Sequence, residues 1–176
     1  MMLSMDALLS PYHQALRSAV GWLELGLPAE GLSELSVLPE ELLIHPLVLG
    51  LRWSLHSKQQ AWTKALAVAR TWVQNAPDEA AAWVSRSYAA RRCPGGGLTE
   101  ALTLLEPAGH LFPEETAIPF NLACYQAQLG NLDEARRWWA VALSRGDARE
   151  LHQRALSDPD LEPLWSELRA KPAPSK

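Results

Sequence analysis

A chain of 176 residues that is 48% hydrophobic and 20% charged is too apolar to remain disordered, and it is long enough for one domain or for a short run of stacked units. Its formal net charge of −4 argues against nucleic acid as a partner, because phosphate backbones are bound by a surplus of Lys and Arg. No uninterrupted apolar run is long enough to cross a bilayer, which argues against a membrane partner.

In chain order, residues 1–11 form a lead-in. Met1-Met2-Leu3-Ser4-Met5-Asp6 lacks the basic flank of a secretory signal, and Asp6 and Pro11 interrupt the apolar stretch around them, so the chain reads as cytoplasmic. Apolar periodicity then predicts four helix pairs, about 12–25 with 28–38, 46–58 with 60–74, 79–92 with 98–106, and 117–129 with 132–145. Pro28 and Thr99 suit first turns, and Pro107 is expected to end its helix early. Two further helices, 148–156 and 160–169, read as C-terminal caps, since an end unit needs a more polar outer face. The tail, 170–176, is expected to be disordered.

The pairs repeat. Gly31, Ala65, Ala101 and Ala135 are separated by 34, 36 and 34 residues, and each follows a charged residue. Small residues there allow close helix approach. Four positions on stand Leu35, Ala69, Leu105 and Trp139, and three further on Leu38, Trp72, Ala108 and Ala142, giving one apolar helix face repeated four times. Leu25-Gly26 and Leu129-Gly130 echo each other 104 residues apart, at expected turns between paired helices. The two additional residues of the middle spacing fit in Cys93-Pro94-Gly95-Gly96-Gly97.

The segment from Phe120 to Ala135, with Trp83 following Pro77-Asp78-Glu79 and Pro113 near the end of its unit, resembles the tetratricopeptide repeat, a 34-residue pair of helices A and B. The likeness covers roughly 12–145, as units at about 12–45, 46–79, 80–115 and 116–147, with caps at 148–169. It departs at Gln60, which replaces the turn Gly, at Trp72, where a small residue is usual, and at Arg86, which takes a normally apolar position. The resemblance implies an all-α, right-handed superhelical array of antiparallel helix pairs, acting as an interaction scaffold or adaptor. Its A helices would line a concave groove for a peptide or helix.

In that register the groove would hold Leu47, Gly50, Leu51, Ser54 and Lys58 from the second pair, Ala81, Val84, Ser85, Tyr88, Arg91 and Arg92 from the third, and Ala117, Phe120, Asn121, Cys124 and Gln128 from the fourth. An apolar groove with a basic lip suits an acidic or amphipathic peptide. Some members of the family grip a chaperone's C-terminal carboxylate through Lys and Asn on successive A helices. Asn121 stands alone here, so that ligand is not expected. Arg91 and Arg92 can hold a carboxylate, or simply be solvated at a helix end.

Nothing points to catalysis, a metal or a cofactor. His13, His45, His56, His110 and His152 include no pair at metal-binding helical spacing, and Cys93 and Cys124 form neither a ligand pair nor a disulfide framework. Cys124 is a packed thiol or, beside a His in space, a nucleophile. The Gly run satisfies no nucleotide motif. Most of the eight Trp residues fall on the repeating faces and are assigned to the core, with Trp62 and Trp138 the first suspects for exposed anchors. The alternatives to a scaffold are a self-associating homodimer, and an enzyme or small-molecule sensor with a pocket between helix pairs.

Overall fold

A computed structural model describes residues 10–170, and these contain helices and no strand. The chain divides into two compact units, Met1–Gly95 and Gly96–Lys176. The division falls in the Gly run and so within the third expected pair. The lead-in over 1–9 and the tail over 171–176 lie outside the described residues.

In the first unit, α1 (His13–Glu24) turns into α2 (Pro28–Glu34), which tightens into a 3-10 turn over Leu35–Val37; a second 3-10 turn, Glu40–Leu42, leads to α3 (Pro46–Lys58), α4 (Trp62–Asn75) and α5 (Ala80–Arg92). Pro28 and Pro46 open their helices where a missing N–H costs nothing, and His45 caps α3 by accepting from the Leu47 N–H at 3.3 Å. Each helix packs on the next, and α1 also meets α3, as α3 meets α5. Leu16, Ala19, Leu35, Leu38, Leu42, Val48, Leu51 and Leu55 form one core; Leu49, Val68, Trp72, Val73, Ala76 and Ala82 form another.

The second unit comprises α6 (Leu98–Leu105), α7 (Ala108–Leu111), α8 (Ala117–Gln128), α9 (Leu132–Arg145), α10 (Ala148–Ser157), a 3-10 segment Pro159–Leu164, and α11 (Trp165–Ala170). Here α8 is central, packing on α6, α7, α9 and the 3-10 segment. Arg145 donates to the carbonyls of Gly109, Phe112 and Glu115, tying the end of α9 to the approach to α8. At the surface Arg136 bridges Asp133 and Glu167.

All twelve positions of the repeating face are buried, including Gly31, where an added Cβ would lie 2.5 Å from Leu55 Cδ2 and 3.1 Å from the Ala19 carbonyl. The face is not always one helix. Leu38 follows a 3-10 turn and precedes Pro39, and Ala108 begins a new helix after Pro107, because proline cannot supply the N–H that continues a helix.

Three of the turns between paired helices share one geometry. Gly26, Gln60 and Gly130 have φ of 75°, 55° and 81°. The next N–H reaches back to the carbonyl of Trp22, His56 or Gln126 at 2.8, 2.9 and 2.9 Å, which is the Schellman closure. Gln60 therefore adopts the left-handed conformation without being glycine. The Gly95-Gly96-Gly97 turn is different, with positive φ at both Gly95 and Gly97.

Candidate functional site

Along α3, Leu47, Leu51, Ser54 and Lys58 are spaced four, three and four residues apart, which places them on one side of the helix. Two open clefts of the first unit share that side. In the first, of about 450 Å³, Leu47 and Leu51 face His13, Leu16, Arg17 and Val20 of α1. Its rim joins exposed apolar side chains, Leu47 at 55% and Val20 at 43%, to the exposed His13 and Arg17.

The second cleft, of about 580 Å³, is walled by Trp53, Ser54 and Lys58 of α3, by Trp62, and by Tyr88 and Arg92 of α5. Trp53 and Trp62 both meet Tyr88 edge to face, with ring centroids 6.1 and 5.9 Å apart. The Arg92 guanidinium lies 3.5 Å above the Tyr88 ring centre and 5.5 Å from that of Trp62, while its Nη1 donates to the Tyr88 carbonyl at 3.2 Å. Cation–π contact and one hydrogen bond hold this arginine in place while leaving other donors available. No carboxylate among the described residues pairs with Arg92 or Lys58.

The remaining expected groove residues are distributed differently. Val84 and Arg91 are half-buried on α5 outside the aromatic cleft. Gly50 faces the core, where an added Cβ would lie 2.9 Å from the Trp72 ring, and Ser85 is buried. On α8, Phe120 and Cys124 are buried rather than groove-lining: the Phe120 ring packs 6.2 Å from Trp139 beneath the Arg154 guanidinium, and the Cys124 thiol donates to Asp158 Oδ2 at 3.9 Å. Asn121 Nδ2 donates to the Ala117 carbonyl of its own helix, and Gln128 Nε2 donates to the Asp160 carbonyl at 3.1 Å. The 3-10 segment over Pro159–Leu164 thus packs on α8, a pairing that helix periodicity does not reveal.

That segment also brings Cys124 Sγ and the Asp158 and Asp160 carboxylates within 4.8 Å of one another, a grouping unseen in the sequence. Asp158 is already engaged as a cap, its Oδ1 accepting from the Asp160 N–H and its Oδ2 from the thiol. Among the Trp residues only Trp72 and Trp139 are buried. Trp22, Trp83 and Trp165 donate their indole N–H to Glu34, Pro77 and Ala155, Trp138 packs against Gly109, and Trp62 lines the cleft. Arg86, at its unusual position, lies 4.6 Å over Trp83. No described helix is long and apolar enough to cross a membrane. No known family pattern, curated protein or solved structure matches the chain.

Proposed function

We propose that the chain is a tetratricopeptide-type array of helix pairs that acts as a cytoplasmic adaptor, binding a short acidic peptide with an apolar anchor. The observation that carries this reading is the α3 side shared by two clefts, apolar at the Leu47 end and aromatic at the Lys58 end, where no described carboxylate pairs with the cations. From Leu47 to Lys58 is about 16 Å along the helix, the span of roughly five residues of an extended chain. A leucine or phenylalanine side chain enters between α1 and α3, and a carboxylate some five residues away meets Arg92 over the Tyr88 ring. The recurring turns at Gly26, Gln60 and Gly130, and the contacts of α1 with α3 and α3 with α5, support an array of this kind.

The test is to pan a random peptide library against the whole protein and against its Tyr88→Ala and Arg92→Ala variants. Enriched peptides should pair an acidic residue with an apolar one at that spacing, and should bind each variant at least about tenfold more weakly. Enrichment of peptides indifferent to both substitutions would overturn the assignment.

A further inference from the structure

A different side of α3 carries Arg52 and His56, about 150° around the helix from the residues that face the two clefts. One turn apart, they line an open pocket of about 260 Å³ walled by Leu32, Leu35, Leu38 and Leu43, with Ser36 at its edge. The cavity lies wholly within the first unit.

Its polar groups are incompletely matched. Arg52 has five N–H donors, and its hydrogen bond is a long one, Nη1 to the Leu43 carbonyl at 3.4 Å. No carboxylate among the described residues pairs with it. His56 is 8% exposed, and its Nδ1 is buried with no hydrogen-bond partner. Burial and the nearby cations Arg52 and Lys64 hold the imidazole below the ordinary histidine range, and burial also lowers the Arg52 pKa. Arg52 thus carries its charge in partly buried surroundings beside a neutral imidazole, with no carboxylate of the described residues next to it.

Water alone fits poorly. Four of the seven lining residues are leucines and the Ser36 hydroxyl already donates to the Ser33 carbonyl at 2.6 Å, so water in the pocket meets apolar walls and few free polar groups. A carboxylate offers one oxygen to the guanidinium and one to the imidazole Nε2, the ring nitrogen that is not closed off, and an apolar body satisfies the leucines. The volume equals about nine waters at ~30 Å³ each, room for an acid of six or so carbons.

We propose that this cavity binds a small monocarboxylate with a branched apolar body, its head held by Arg52 and His56 and its body by the four leucines. The site is separate from the peptide clefts and does not depend on them.

The probe is 4-methylpentanoate, titrated into the whole protein while the His56 ring and leucine methyl signals are followed by NMR. Saturable one-to-one shifts at Leu32, Leu35, Leu38, Leu43 and His56 are expected. The corresponding alcohol and primary amide should bind the unaltered protein at least about tenfold more weakly, because neither carries the charge that arginine recognises. Arg52→Gln should cause a loss of the same order. Equal binding of alcohol and acid would overturn the proposal, as would shifts scattered away from the cavity or no saturation at millimolar acid. A peptide with a free C-terminal leucine carries the same head and body; if it binds while the free acid does not, the small-molecule assignment fails.

Discussion

Helices α3 and α8 occupy the same place in the repeat, 70 residues apart, yet α3 faces open clefts while α8 is enclosed on nearly every side. Nine of the twelve α8 residues are buried, whereas Leu47 of α3 is 55% exposed. Position by position, Leu47, Gly50, Leu51, Ser54 and Lys58 correspond to Ala117, Phe120, Asn121, Cys124 and Gln128. Two differences explain the contrast. Gly50 leaves room for the Trp72 ring, while its counterpart Phe120 fills that space itself and the counterpart of Trp72 is Ala142. At the same time the Pro159–Leu164 segment packs along α8, with Leu161 fully buried. Equivalent register fixes how a helix is oriented toward its pair, but what covers its other side depends on the neighbouring chain.

The largest test of this comparison is Leu161→Ala, which should cost about 2–5 kcal/mol, since a fully buried leucine leaves a cavity that relaxes only in part. Urea unfolding measures the loss, and hydrogen exchange should find α8 amides less protected while α3 is unaffected. Unchanged protection of α8 would mean that other elements enclose it. Next is Gly50→Ala, whose Cβ meets Trp72 at 2.9 Å. Because that atom belongs to a ring packed in a core, the expected cost is about 1–3 kcal/mol, with a shifted Trp fluorescence maximum. An unchanged melting temperature would show that Trp72 has room to move.

Smaller still is Gln60→Gly. A left-handed non-glycine residue carries strain of ~1–2 kcal/mol, part of which is offset by the greater freedom of glycine in the unfolded chain, so a net gain of roughly 0.5–1 kcal/mol is expected. Equilibrium denaturation that shows the glycine variant less stable than the parent would contradict the shared turn geometry. The mildest effect is on pH dependence. His56 is held below the ordinary histidine range in the folded protein, so the unfolded chain takes up its proton first. Stability therefore falls as pH drops from neutral through that range, and rises with pH across it. His56→Gln should flatten this slope in denaturation curves recorded between pH 5 and 7.5 or so.

Much of the architecture is legible along the chain. The four small positions, the apolar residues four and seven places on, and the turn residues at 26 and 130 are all local or periodic signals, and they identify three of the helix pairs, α1 with α2, α3 with α4 and α8 with α9, whereas the two helices of the expected third pair fall in different units. Gln60 shows the limit of residue type: it takes the glycine conformation because the flanking helices close around it. The candidate site divides in the same way. Of the residues that the resemblance would place in a groove, Leu47, Leu51, Lys58, Tyr88 and Arg92 line clefts, whereas Phe120 and Cys124 do not.

By itself, the sequence determined most of the helices, the turns at 26 and 130, and the apolar stripe that each repeat position buries, because backbone conformation and apolar periodicity are written in neighbours a few residues apart. Only the tertiary structure decided that Arg92 lies over Tyr88 and faces Trp62, that Arg52 and His56 line a leucine cavity without an acidic partner among the described residues, and that residues 159–164 enclose α8. Those outcomes depend on contacts between segments distant in the chain and on whether side-chain volumes fill the space between them, and neither has a period to read.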